Sequence, residues 1–433
     1  MWQKAWFRWS VRVLALVILA ALAVVFALRW RGEWSLREAR REFTQKVGPL
    51  NPAAYRSKPI PEEENGAVWL LAGARAVVIF PPERQGLRSL AETSSSHWSQ
   101  AQIQLASRLL ERNAPALTLL HRSLDLKACD LSDAVTGKTG YLLSFVAAAP
   151  LLAADSRDAL RQGDMDRFFA SAETLRLLAS AQERQVELID LLLGSYAERL
   201  LLPVIQEAAS APSLKASDMA RLGALLPTVD LAAAMRRTVG YELASMLDRI
   251  AHGTEAEHMG IQLGLAGHLE NWVRGDAETA RALRGWAAGA ESMGQPYARR
   301  LASPPGQGSA SDNPYTFDRQ GKTAGRLQAT LALRQMTALG LEVRKAGLER
   351  GTYPAELSAF SGAGSPDPFT GKPLAYTLHP DGSATLAIPG GDALYDKLSG
   401  GKIPTIGATW TLPPLGAGRP STPGHPASGR SSH

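Results

Sequence analysis

The chain of 433 residues contains a single cysteine, Cys129, so neither an intrachain disulfide nor a thiolate metal cage can form. It has no acidic residue before Glu33. It lacks the Gly-x-Ser-x-Gly turn that presents a nucleophilic serine, and the His-Glu-x-x-His pair that holds a catalytic zinc. Two Gly-Lys-Thr triplets occur, but Ser132 and Thr316 stand five residues before Gly137 and Gly321, where a phosphate loop needs a further glycine. Each absence closes a common route to catalysis. The sequence therefore assigns no catalytic, cofactor-binding or metal-ligating residue, and no cofactor.

What remains is a chain with 45% hydrophobic and 20% charged residues, the composition of a folded protein. Its net charge of +6 is unevenly placed. Between Met1 and Glu42 eight basic residues face three acids (Glu33, Glu38, Glu42), a local excess of +5 that leaves the rest of the chain close to neutral. Nucleic-acid binding needs a concentrated basic surface on the body, and the body has no such charge.

The basic segment flanks an uninterrupted apolar run, Val13 to Leu28. As a helix this run spans roughly 24 Å, a little less than a hydrocarbon core of about 30 Å. Arg12 and Arg29 can extend to the headgroups, and Trp2, Trp6, Trp9, Trp30 and Trp34 sit where interfacial aromatic belts belong. Residues 11–29 are thus expected in a lipid bilayer, within a single-pass anchor at 1–34. A cleaved signal peptide would need small residues after the run, whereas Phe26-Ala27-Leu28-Arg29-Trp30 follows the wrong pattern. Lys4, Arg8 and Arg12 on one side and Arg29, Arg31, Arg37, Arg40 and Arg41 on the other leave the positive-inside count undecided. A short N-terminus retained inside puts the body outside the cytoplasm.

Residues 35–301 read as a mainly α body of amphipathic helical hairpins, either TPR-like in architecture or an irregular bundle. Apolar positions recur at helical spacing after Asn65, from Trp98 to Leu110, and after Asn113, which is placed to cap a helix with Pro115 in its first turn. Tyr141–Leu160 and Met165–Ala181 form a hairpin about Gly163-Asp164, followed by helices over Val186–Ala208, Ser217–Leu226, Leu231–Ile250, Glu255–Val273 and Ala277–Leu301. Residues 302–323, rich in Ser, Pro, Gly and Asn, read as a linker.

The segment 324–410 is an α+β unit: a helix from Arg326 to Arg350, a short helical turn around Leu357, and a β-hairpin about Pro380-Asp381-Gly382. Residues 411–433 are expected to be a disordered tail. The helix stops at Gly351-x-Tyr353-Pro354, and Asp367-Pro368, Gly371, Pro373 and Tyr376 follow. This pattern resembles the globular part of the major pseudopilins of type II secretion systems, over less than a fifth of the chain. The layout as a whole resembles a group of uncharacterised bacterial single-pass membrane proteins with a helical body. The resemblance implies a bacterial envelope setting, and Asp381, Asp392 and Asp396 are the oxygen donors available for the calcium some pseudopilins bind. The apolar helix carries no glutamate of the pseudopilin kind.

Among scattered polar residues, His252, Glu255, Glu257, His258 and His268 are close enough in sequence to consider for a metal, and surface positions on a helix account for them. Tyr196 with Arg199, and Arg236-Arg237 with Tyr241 and Glu242, are placed to line a groove. These readings favour a membrane-anchored, non-enzymatic envelope scaffold with protein partners, linked to a secretion or pilus-like system. The alternative is a hydrolase or ligand-binding protein using the helical body.

Overall fold

The computed structural model describes residues 2–56, 60–126, 128–131, 140–212, 214–251, 275–285, 287–288, 295–302, 317–399 and 407–415. It is mainly helical, with one small antiparallel sheet near its C-terminal end. The first helix, α1 (Trp2–Lys46), contains the whole apolar run and is long and apolar enough to cross a membrane. It does not end at the expected anchor boundary of residue 34. Nothing between Trp34 and Lys46 breaks a helix, and Leu36, Ala39 and Phe43, spaced by three and four, are buried against the body. The apolar segment and the body are therefore joined by continuous helix.

The body follows as α2 (Ala67–Ala76), α3 (Arg84–Glu92), α4 (Gln100–Arg112), α5 (Ala114–Arg122), α6 (Gly140–Gln162), α7 (Met165–Glu183), α8 (Leu188–Ser210), α9 (Ala216–Ala224) and α10 (Leu231–Ala251). Asp164 accepts from the Arg167 amide at 3.1 Å and so caps α7 in the expected hairpin, with Gly163 in the left-handed region at φ 77°. Ser99 caps α4 through its capping box with Gln102. Asn113 stands at the N-cap of α5 as expected, with Pro115 in the first turn, but its side chain caps no amide of that helix, and Ser217 is not a cap. Asn113 is buried, and its amide spans to the chain at Val78, accepting from the Val78 N–H at 2.7 Å and donating to its carbonyl at 3.1 Å. Ser217 already lies inside α9, whose entry is held by Asp218 accepting from the Lys215 amide at 2.9 Å.

The helix expected over Ala277–Leu301 is interrupted. Residues 275–285 and 287–288 are helical, Gln295 and Pro296 are not, and α11 (Tyr297–Ala302) starts afresh after the proline. The helix expected over Glu255–Val273 lies outside the described residues. The linker gives way earlier than expected to α12 (Phe317–Arg350), because Ala324 and Leu327 are buried and keep its N-terminal turns in helical phase with the core. Gly351 stops α12 at φ 76°. Around Leu357 there are turns, not helix. Strands β1 (Ala375–Leu378) and β2 (Ala384–Ala387) form the expected hairpin, with Tyr376 opposite Leu386. After α13 (Gly391–Ser399), the chain returns as β3 (Thr409–Leu412), which pairs with β2. Residues 411–415 thus belong to the fold and not to a tail. Trp410 and Leu412 are buried, and the Pro413 carbonyl accepts from Tyr353 at 2.8 Å.

Packing decides between the two architectures. Helices that are not sequence neighbours touch: α6 meets α2 and α3, and α12 lies along α8 and α9. This is an irregular bundle, not a one-dimensional stack. One apolar core runs from Leu70 on α2 through Phe168 and Leu201 to Phe369, Leu386 and Trp410, so the segments read as body and C-terminal unit share it. A second cluster joins α1 to Leu191, Leu231, Val239, Leu283 and Leu327.

Candidate functional site

Where α7, α8 and α12 meet, two glutamates are fully buried side by side, Glu183 at the end of α7 and Glu198 in α8. Arg334 of α12 donates Nε and Nη2 to the two Glu198 oxygens, each at 2.6 Å, and Nη1 to the Val229 carbonyl at 2.6 Å. This forked pairing consumes the cation. Glu183 lies 3.9 Å from Nη2 at its nearest oxygen, and neither of its oxygens receives a hydrogen bond from a donor among the described residues. Burial first, and the adjacent Glu198 second, push the Glu183 carboxyl well above the ordinary value of 4.5. Gly194 makes the room, since a Cβ there would stand 2.6 Å from Glu183 Cγ.

Beside this pair, Arg237 of α10 donates Nη2 to the carbonyls of Glu183 at 2.9 Å and Gln185 at 3.3 Å. Ser195 and Thr330 share a hydrogen bond of 2.8 Å between α8 and α12. The two glutamates of the centre are closed off from solvent, and the Ser195 and Thr330 hydroxyls beside them bond each other. What the centre does is lock α12 against α8.

The polar groups that do reach a surface line a cleft of about 460 Å³ between α4, α5, α6 and α7. His121 Nε2 and Ser171 Oγ are 3.0 Å apart, and Ser171 donates to Asp155 Oδ2. Arg167 holds Asp155 Oδ1 at 2.9 and 2.5 Å, and Asp158 takes Arg161, Gln162 and Arg167. These are the residue types of a serine hydrolase in the wrong order. The single hydroxyl proton of Ser171 goes to a carboxylate, so His121 must donate to the serine oxygen and cannot remove its proton. Burial keeps His121 below its usual pKa, with Asp155 opposing and Arg167 assisting, so the ring is neutral. Every carboxylate oxygen of Asp155 and Asp158 is occupied.

A larger groove of about 730 Å³ lies where the body meets β3. Its floor is Arg157, only 2% exposed and paired with Glu207, whose other oxygen accepts from Ser95 N at 2.7 Å and Oγ at 2.6 Å. Trp410 donates Nε1 to Ser210 at 3.1 Å across the same wall.

None of these clusters was legible as such. Asp155 and Asp158 are three apart on α6, and Arg167 and Ser171 four apart on α7, so each pair shows a common face. Nothing local says that the two faces meet beneath His121. The residues singled out from the sequence fare differently. The histidine–glutamate group from His252 to His268 and the triplet at Gly137 lie outside the described residues, and the second triplet lies within α12, not in a strand-to-helix loop. Tyr196 and Arg199 do not face Arg237. Arg199 bonds the Tyr395 hydroxyl, and Glu242 accepts from the Leu188 amide at 3.3 Å. Cys129 is buried and its thiol is pushed up to about 12 by burial, which makes it inert as a nucleophile. Among the described residues no three of His, Cys, Asp or Glu are grouped to hold a metal ion. Of the aspartates considered for calcium, Asp381 accepts from Ser383 N at 2.9 Å and Oγ at 2.6 Å, and Asp392 accepts from the Ala408 amide at 3.3 Å.

The residues of the pseudopilin-like pattern are likewise spent on local structure. Asp367 is buried, and its Oδ1 accepts from the amides of Phe369 at 2.9 Å and Thr370 at 2.7 Å. Tyr376 donates to the Pro354 carbonyl at 2.7 Å. Phe369 stacks on Tyr297 at 5.6 Å. No family model, no curated protein and no solved structure matches the chain.

Proposed function

We propose that the protein is a non-enzymatic scaffold of the bacterial envelope, anchored in the inner membrane by one pass of α1, with its body outside the cytoplasm. Its protein partners belong to a secretion or pilus-like system, and nucleic acid is not among them. The observation that carries this reading is the unbroken α1, in which Leu36, Ala39 and Phe43 are buried in the body. A flexible tether would let the body sample a wide volume; a helix built into the core holds it at one height and one orientation above the bilayer. That is what a platform needs. The setting follows from the Gly351–Tyr376 pattern and its likeness to pseudopilins.

The test is crosslinking of the full-length tagged protein in its native membranes, followed by identification of what co-purifies. Recovery of secretion or pilus components supports the reading, and recovery of nothing specific overturns it. Protease accessibility of the tag in spheroplasts decides the side of the membrane. The hydrolase reading has one observation in its favour, the His121–Ser171–Asp155 cluster, of which His121 and Asp155 line a cleft and Ser171 is buried. It requires an ester or amide hydrolysis that Ser171→Ala abolishes, and the proton order in the cluster speaks against it.

A further inference from the structure

The part of α1 beyond the apolar run has two unlike faces. Gly32, Leu36, Ala39 and Phe43 form the buried stripe. Trp30, Trp34, Arg37 and Arg41 form an exposed one, which lies roughly 160° away around a helix of 3.6 residues per turn. Trp30 is 67% and Trp34 59% exposed, and Arg31 and Arg40 flank the stripe on either side, also exposed.

The acids of this segment are already engaged. Glu33 pairs with Arg29 at 3.1 Å, Glu38 with Arg284 at 3.1 Å, and Glu42 with Lys46 at 3.1 Å. Among the described residues Arg31, Arg37, Arg40 and Arg41 have no carboxylate partner, and Arg37 Nε donates to the Glu33 carbonyl at 3.4 Å.

We propose that this stripe binds the headgroups of anionic phospholipids where α1 leaves the bilayer. The inference rests on the reading of α1 as a membrane span. Three observations choose lipid as the occupant. The stripe continues directly from the apolar run, with the tryptophans nearest to it, at the depth of the acyl–headgroup boundary, and the arginines beyond, at the depth of phosphate. Its charge is of one sign and unneutralised, and guanidinium groups bind phosphate through paired hydrogen bonds. Along the helix Arg31 and Arg37 stand roughly 5 and 14 Å beyond Leu28, where long side chains reach the headgroups, and Arg40 and Arg41, roughly 18–20 Å beyond it, add long-range attraction at low salt.

The experiment uses full-length protein in vesicles of phosphatidylcholine mixed with phosphatidylglycerol. The protein is extracted in mild detergent and the lipid classes retained per protein are counted. Wild type is expected to retain phosphatidylglycerol above its share of the bilayer, with each arginine contributing a factor of roughly five to that preference at low salt. The variant R31Q/R37Q/R40Q/R41Q is expected to retain lipid in the bulk ratio, and R31K/R37K/R40K/R41K to keep much of the preference. Bulk-ratio retention by wild type, or an undiminished preference in the glutamine variant, overturns the proposal. A photo-crosslinking residue at position 37 should yield a lipid adduct; a protein adduct in its place also overturns it. Flotation of wild type with the vesicles separates the two levels. A protein that fails to float loses the membrane span itself, whereas one that floats without a lipid preference loses only the headgroup site.

Discussion

The helical body and the segment after Gly351 differ in how their acidic groups are satisfied. After Gly351 the aspartates bond within a turn, Asp367 to Phe369 and Thr370 and Asp381 to Ser383, while Tyr353 and Trp410 supply the longer-range bonds, to the Pro413 carbonyl and to Ser210. In the body the decisive contacts join α8 to α12 across more than a hundred residues: Glu198 to Arg334, Ser195 to Thr330, and Gln206 to Thr337. A local turn can form early and costs little when broken, since water replaces its partners. A buried long-range pair forms only with the core, and breaking it strands a charge. The comparison teaches that the C-terminal pattern is a set of chain-shaping devices, whereas the α8–α12 contacts are what fasten that pattern to the body.

Four substitutions sharpen this contrast, in falling order of effect. Glu198→Gln takes from the largely buried Arg334 the carboxylate it is forked onto and should cost about 3–5 kcal/mol in denaturant unfolding. A loss below 1 kcal/mol would mean that water reaches the centre. Gly340→Ala comes next. Its Cβ would stand 1.9 Å from the Trp410 ring, so α12 and β3 must move apart, at about 1–3 kcal/mol. A neutral result would show that β3 is not pressed on α12. Gly351→Ala forces a side chain into the left-handed region at φ 76°, a local penalty of about 1–2 kcal/mol that leaves the tertiary contacts intact. Near-ultraviolet circular dichroism should be unchanged below the transition.

The smallest change has the opposite sign. The Glu183 carboxyl is raised above its ordinary 4.5, so the folded state keeps a proton that the unfolded chain releases as pH rises. The contribution of Glu183 to stability is therefore full below the ordinary carboxylate range and is lost as pH climbs through its folded-state pKa. Glu183→Gln keeps the donor without the titration. It should gain on the order of 1 kcal/mol at neutral pH, the scale of one buried hydrogen bond, with the gain vanishing at acid pH. Denaturant midpoints across a pH series check this, and an unchanged pH slope would show that Glu183 is not the titrating group.

The contrast also explains what was legible. The helical hairpin about Gly163, the stop at Gly351 and the turn at Asp381-Gly382 are encoded by residues within a turn of one another, and the structure places them where the sequence does. Strand β3 was not legible. Thr409 to Leu412 alternate exposed and buried, but four residues between a glycine and two prolines give too short a pattern, and the partner strand begins 25 residues earlier at Ala384. The glutamate pair was invisible for the same reason. Glu183 and Glu198 look like ordinary polar positions of two amphipathic helices until Arg334 arrives from α12.

By itself the sequence determined the apolar helix, its tryptophan and arginine flanks, the mainly α class and the turns after Gly351, because periodicity and turn chemistry act over a few residues. Only the tertiary structure decided that α1 runs unbroken into an apolar cluster of the body, that body and C-terminal sheet share one core, and that Glu183 is buried with its carboxyl pushed well above the ordinary value. Those outcomes depend on which surfaces exclude water from one another, and that is settled when distant helices pack.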